Sequence, residues 1–431
     1  MRADTKHRFR KLAGRVLALA SLGGLSLGIL CCGASNTIDY LYVTSNSQNP
    51  GQINVYHVDS ESGALYKIAD SPYPSGGRNP VYEVASSNGL YLYVANHDDN
   101  TIVKFDIGTD GKLYPIQTVE TPGTEPVALA LNASGTVLYV LDYYAPASPG
   151  QPSYTDLNPG PGAVIAYPID AATGTLGAPL GAGAADYWLV QCFPTNLAVT
   201  PDGSYVYVTN TNAVVVTTSP PVTGTVPILP ASCPSYGTVS AFAVSGSSSS
   251  TGQTVTGLSP VAGSPFSTGT GSEPTAVTAD PGNGLLYVTD SKLNQLDTYA
   301  IQSGGALSLS ATNATGNMPM GATVVSNGGK YLYVTNYIDG TISIFSLSSG
   351  LPSPVATSSA GASGPLCLLI DPDTQRFMYI SDYTGGRIGG VQLDPSTGNL
   401  IQTEGSPYAT AAGQPTCVAA VVHAGGNKNG L

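Results

Sequence analysis

Charge is scarce in this chain. Only 10% of its 431 residues are Asp, Glu, Lys or Arg, and Lys and Arg together number 15. Long helices draw on Ala, Leu, Glu, Lys and Arg, so this supply argues against a helical fold. Six cysteines occur without a CxxC pair, and no His–Cys cluster is present, which leaves no zinc motif. Beyond residue 30 the only histidines are His57, His97 and His423, and no G-x-S-x-G nucleophile elbow occurs there. The longest apolar run, Val16–Leu30, is shorter than the roughly 20 residues of a spanning helix. No metal or other cofactor is expected.

The few cations are unevenly placed. Arg2, Lys6, Arg8, Arg10, Lys11 and Arg15 precede residue 30, with Asp4 alone opposing them. The remainder holds 15 − 6 = 9 basic and 27 − 1 = 26 acidic side chains, a net charge of −17. Such a surface repels nucleic acid and anionic headgroups, so nucleic-acid binding is excluded as a function. The basic start followed by Val16–Leu30 has the form of a secretory signal, read here as residues 1–31. Cys31-Cys32-Gly33 then resembles a bacterial lipobox, with Cys32 as the lipidation site and residues 32–39 as a tether. The expectation is an exported protein, either a cell-envelope lipoprotein held by its N-terminal lipid alone or a secreted one, and monomeric. Residues 424–431 read as a flexible tail.

What the chain has in abundance is Gly (52), Pro (33) and Tyr (26), and they recur in order. One phrase appears seven times, centred on Tyr42, Tyr93, Tyr139, Tyr207, Tyr287, Tyr333 and Tyr379, as in Leu332-Tyr333-Val334-Thr335. The spacings are 51, 46, 68, 80, 46 and 46 residues. Each unit reads as four short strands. An apolar stretch opened by Pro (Glu125-Pro126-Val127) is followed by a polar turn such as Pro201-Asp202-Gly203, the Tyr phrase, an alternating strand and a weaker fourth one. Units of four antiparallel strands at this period are propeller blades. Residues 415–422 form a first strand with no blade behind it, and Tyr40–Ser45 a second strand with no first. They predict an all-β, seven-bladed β-propeller over residues 40–423, closed by pairing of its N- and C-terminal strands.

In such a ring the loops into first strands and out of second strands share one face around the central channel. The first set includes Asn79, Glu125 and Glu273, with Arg78 alongside. The second set gives the ring Asn96, Asp142, Asn210, Asp290, Asn336 and Asp382. Asn and Asp also end strands merely as turn caps. Glu125, Glu273 and Glu83 are candidate general bases, with Arg78 as an oxyanion partner. His97-Asp98-Asp99-Asn100 is the most polar loop of this face; it reads as a solvated hairpin tip and lacks the ligand count of a calcium loop. The long spacings place additions at 143–162 and 211–237 on the same face. In an oxidising compartment Cys192 and Cys233 are expected to form a disulfide across the second addition. Cys367 and Cys417 hold the same position in successive first strands; they can pair only if those strands bring Cα atoms within about 7 Å.

The Leu-Tyr-Val-Thr-Asn phrase, the turn Pro201–Gly203 and Asp394-Pro395-Ser396-Thr397-Gly398 resemble the seven-bladed propeller lactonases, which include 6-phosphogluconolactonase and carboxymuconate cyclase. Tyr207–Asn210 and Tyr333–Asn336 are also similar to the Tyr-Val-Thr-Asn repeats of microbial surface propellers. The resemblance implies His and Arg just after the opening Pro. Here those positions are Val81-Tyr82, Val127-Ala128, Thr195-Asn196, Thr275-Ala276, Met320-Gly321, Leu366-Cys367 and Thr416-Cys417, with neither residue among them. A phosphosugar needs cations for its phosphate, so that substrate is not expected. The sequence therefore reads first as a binding or scaffold module for a small molecule, glycan or envelope protein. The alternative is a lactonase-type hydrolase or isomerase acting on a neutral lactone or sugar derivative.

Overall fold

In a computed structural model the described residues are 37–147, 152–181, 185–211, 233–249, 252–282, 284–324, 330–411 and 413–423. They form seven antiparallel sheets. The innermost strands are Pro80–Ala85, Thr124–Leu131, Pro194–Val199, Pro274–Ala279, Pro319–Val324, Pro365–Ile370 and Pro415–Val422. Each touches the next around the axis, and the last touches the first. Three outermost strands are interrupted, which gives those sheets a fifth short strand. A Ser-Pro pair lies at each break, and the Ser71, Ser264 and Ser406 hydroxyls accept third-strand N–H groups at 2.8, 2.8 and 2.9 Å.

The ring closes as the complementary ends require. Thr37–Ser45, which begins three residues before the position read from sequence, pairs with Pro415–Val422 in the register Tyr40↔Val421, Leu41↔Ala420, Tyr42↔Ala419. Cys367 and Cys417 are disulfide-bonded with Cα atoms 5.0 Å apart. Neighbouring inner strands converge near the axis closely enough for a bridge.

The repeated phrase has a physical explanation in the contacts between blades. Tyr42, Tyr93, Tyr207, Tyr333 and Tyr379 are fully buried. Each donates its hydroxyl to a glycine carbonyl in the outer turn of the following blade: Gly111, Gly174, Gly305, Gly398 and Gly63, at 2.7–3.1 Å. Those glycines have positive φ. A Cβ on any of them would also fall within 2.5 Å of the aromatic ring two residues before the tyrosine, namely Tyr40, Tyr91, Tyr205, Tyr331 or Phe377. Only glycine meets both demands. In the third and fifth blades that earlier position is Val137 or Leu285, and the buried Tyr139 and Tyr287 hydroxyls meet no partner among the described residues. A contrast in stability follows. Tyr207→Phe leaves the Gly305 carbonyl without its donor and lowers unfolding free energy by about 1 kcal/mol, whereas Tyr139→Phe is neutral or stabilising. Denaturant unfolding of the two variants distinguishes them.

Candidate functional site

The chain turns into its innermost strands through strained corners. Asn79, Glu125, Phe193, Met318 and Gln414, each directly before the opening proline, have φ between 38° and 59°. The carbonyl at this position accepts the N–H of the residue after the Asn/Asp ring position, for example His97 N–H to Asn79 at 3.0 Å and Tyr337 N–H to Met318 at 2.9 Å. The fold thus fixes these corners at the channel mouth, where strain of this kind persists only if its surroundings over-determine it.

The ring read from second-strand ends is not offered to solvent. Asn96, Asp142, Asn210, Asp290, Asn336 and Asp382 are all buried. Their side chains fasten the neighbouring turns. Asp142 accepts Gly123 N–H at 2.9 Å, Asn336 accepts Gly316 N–H at 3.0 Å, and Asp382 accepts the N–H groups of Ser363, Gly364 and Gly385 at 2.9 Å. Burial pushes Asp142 well above the ordinary carboxyl range, against hydrogen bonds from Thr121 and Gly123. Asn210 bonds its own sheet at Thr238 and Ser240.

The structure places the three glutamates apart. Glu273 accepts Lys292 Nζ at 2.6 Å. Glu83 lies inside the seam between the second blade and the closing one: Thr44 N–H donates to its Oε1 at 3.2 Å and the Thr44 hydroxyl to its Oε2, while Thr44 also bonds Thr416 at 2.8 Å. Burial pushes Glu83 up to about 8, despite the two Thr44 hydrogen bonds. Asp39, on the other flank of the closing blade, is pushed up to about 9, by burial first and by Asp371 and Asp373 second. Both groups hold protons more tightly folded than unfolded (reference values 4.5 and 3.8). Their stabilisation is complete at acidic pH and is lost as pH rises through about 8 and about 9. Unfolding free energy should fall by on the order of a few kcal/mol between pH 5 and pH 9, and Glu83→Gln should flatten part of that slope. Urea titrations across this range provide the measurement.

Glu125 belongs to a polar constellation at the mouth. A 3-10 turn, His97–Asp99, joins the second and third strands of the second blade here. His97 Nδ1 lies 2.8 Å from Asp98 Oδ1, and His97 Nε2 lies 3.8 Å from Glu125 Oε2. Asn79 Nδ2 donates to Asp98 Oδ1 at 3.0 Å, and Asn46 Nδ2 to Asn79 Oδ1 at 2.9 Å. Partial burial raises Glu125, opposed by His97 and aided by Asp156 and Asp98. Asp98 is held below its ordinary value: hydrogen bonds from Asn79 and His97 outweigh the upward push of partial burial. Arg78 does not project freely. Its Nε meets Asp99 Oδ1 at 2.6 Å and its Nη2 the Asp98 carbonyl at 2.8 Å, so it clamps the turn that carries His97. Cys192 and Cys233, bonded with Cα atoms 5.5 Å apart, pack with Tyr144 and Phe193 beside this mouth. Tyr143 lies against Phe193, ring centroids 5.7 Å apart. The sequence places His97 and Asp98 in one polar loop, read as a solvated hairpin tip; that Asn79 and Glu125 meet this loop follows only from the fold.

Below the mouth lies a cavity of about 370 Å³, lined by all seven innermost strands and by Tyr143, with no Asp, Glu, His, Lys or Arg in its wall. Among the described residues no group of three or more His, Cys, Asp or Glu is arranged to hold a metal ion.

These features define a seven-bladed β-propeller with an imidazole–carboxylate group over a cavity without charged side chains. The family described as "Lactonase, 7-bladed beta-propeller" matches residues 83–145, 263–366 and 307–420, together more than half of the chain, and the chain belongs to that family. A 6-phosphogluconolactonase of Formosa agariphila is 33% identical over 79 residues, 18% of this chain. The match spans only 22% of that enzyme's length. A Bacteroides fragilis protein proposed to be a 6-phosphogluconolactonase superposes with TM-score 0.68 at 17% identity, over 90% of this chain and 99% of its own. The periplasmic gluconolactonase of Pseudomonas aeruginosa does so with TM-score 0.66 at 18% identity, over 89% and 99%. At these identities the structural likeness concerns the fold.

Proposed function

We propose that the protein hydrolyses the ester bond of an uncharged lactone at the channel mouth. The observation that carries this reading is His97, bonded to Asp98 on one side and facing Glu125 across 3.8 Å on the other. That distance exceeds a direct hydrogen bond, and a water seated beside the pair can touch both atoms. With Asp98 accepting the Nδ1 proton, the Nε2 lone pair points towards Glu125. Water held by the two attacks the lactone carbonyl and gives its proton to Nε2. The tetrahedral oxyanion then collapses, the ring C–O bond breaks, and the imidazolium returns the proton to the leaving alkoxide. Lactone and water become the open hydroxy acid. Family membership supports the reaction class, and the uncharged cavity wall supports a neutral substrate.

The reading favoured by the sequence, binding without turnover, draws support from the pairing of Arg78 and Glu273 with other side chains. Export remains part of the proposal, supported by two disulfides; the leader and Cys32 lie outside the described residues. A panel of neutral lactones and 6-phosphogluconolactone, followed by acid release at constant pH, separates the readings. The expected result is turnover of neutral lactones above buffer and rejection of the phosphorylated one. Absence of any turnover, with a neutral ligand still bound, establishes the binding module instead.

A further inference from the structure

The cavity wall names many threonines, yet the bonding of their hydroxyls makes it apolar. Thr195 Oγ1 donates to the Pro274 carbonyl at 3.0 Å, Thr275 Oγ1 to Pro319 at 2.7 Å, Thr278 Oγ1 to Ala322 at 2.8 Å and Thr416 Oγ1 to Pro80 at 2.8 Å. Each bond runs from one innermost strand to the next, so these hydroxyls are spent in holding the ring together. What remains towards the lumen is mostly aliphatic, with Val81, Val127, Val277, Met320 and Leu366 among the lining side chains beside Tyr82, Tyr143 and Asn196. Tyr82 and Leu197 line both this cavity and a second one of about 460 Å³ further down the axis, which places them at the waist between the two. Asn196, two blades away from Tyr82, lines the upper cavity beside them.

A polyhydroxylated ring seated in this wall would exchange water for a surface whose side-chain donors are few, chiefly Tyr82, Tyr143 and Asn196, at a cost for each hydroxyl left unmatched. A hydrocarbon chain faces no such loss and gains by leaving water. We propose that the channel is a tail pocket, and that the substrate is a neutral lactone carrying an aliphatic chain, with the ring at His97 and Glu125 and the chain directed down towards Tyr82. This rests on the lactone reading for the chemistry, but the pocket itself makes a separate claim about binding.

The test is a series of δ-lactones with methyl, propyl, pentyl and heptyl side chains, beside gluconolactone, assayed with the purified protein. The corresponding lactams, which resist hydrolysis, are titrated in parallel by calorimetry. Expected is a rise in kcat/KM of roughly fourfold per added methylene, levelling once the chain reaches the waist, and a matching gain in lactam affinity. Ala322→Phe and Leu366→Trp, on different blades, should each shorten the best chain; folding of both is checked by circular dichroism. Turnover that is flat with chain length, or best with gluconolactone, overturns the tail pocket and leaves the lactonase standing. Lactam affinity that climbs with chain length without any turnover sinks the lactonase and supports the pocket. Lactams that bind without chain dependence, or fail to bind, overturn the pocket, as does an unchanged chain profile in both folded variants.

Discussion

His97→Ala should reduce kcat/KM for a neutral lactone by about 10²- to 10⁴-fold, the range a positioned general base supplies. The change removes the atom that takes the proton from water and leaves Asp98 with Asn79 as its remaining hydrogen-bond donor. Asp98→Asn tests the arrangement differently. The amide can offer N–H to His97 Nδ1, which moves the imidazole proton to Nε2 and removes the lone pair from the side facing Glu125. Its loss should fall in the same range with KM little changed. Glu125→Gln keeps the shape of the mouth and removes one charge. The activity carried by the ionised glutamate rises as pH passes through its raised pKa and is complete above it, so this variant should lose that limb of the pH–rate profile. Equal activity of all three variants with the parent protein excludes this constellation from the chemistry. Glu273→Gln, whose carboxylate is bound to Lys292, should leave the rate within about twofold.

The fold was legible because its determinants are local and repeated. The Tyr phrase, the polar turn before it and the proline opening each inner strand all recur in the sequence, whereas the aromatic two residues before the Tyr and the turn glycine one blade on, paired in five blades, show their use only in the fold. The unmatched ends were legible for the same reason, since a lone first strand and a lone second strand have only each other to pair with. The site was not, because its members meet only through ring geometry. His97 and Glu125 belong to adjacent blades, and their approach depends on a positive-φ corner at Glu125 that no propensity announces. The Asn/Asp ring looked available because strand ends border the mouth, yet at Asp142, Asp290, Asn336 and Asp382 the loop leading into the first strand folds its N–H groups over the side chain. Glu83 misled in the opposite way. Three residues past its proline it faces Thr44 in the seam between blades rather than the mouth. The channel threonines illustrate the limit most plainly: a sequence shows a hydroxyl but not the carbonyl on the next strand that takes it.

Ending the chain at Gly413 should abolish cooperative folding. That truncation removes Pro415–Val422, the strand that covers Thr37–Ser45 on its axis side, and exposes the ladder groups of a strand whose Leu41, Tyr42 and Val43 are otherwise fully buried. It also opens the ring on both flanks, because Thr416 is the residue that reaches Pro80 on the second blade and Ser381 on the seventh. An unpaired edge of apolar strand templates association, so the product should be aggregated rather than a six-bladed remnant. Replacing Cys367 and Cys417 by Ala separates the covalent part of the closure from the rest. A cross-link spanning 50 residues contributes roughly 4 kcal/mol in the chain-entropy picture, with about 2–4 kcal/mol typical of measured bridges. This variant should still fold, with unfolding shifted down by that amount and no further sensitivity to reductant from this bond. Cys192→Ala with Cys233→Ala should behave otherwise. That bridge packs beside Phe193 and Tyr143 at the mouth, so its loss should appear mainly in KM for the lactone and only weakly in the unfolding midpoint. If the two double variants exchange these signatures, the closing strand is held by sheet pairing alone and the mouth disulfide carries the stability of the ring.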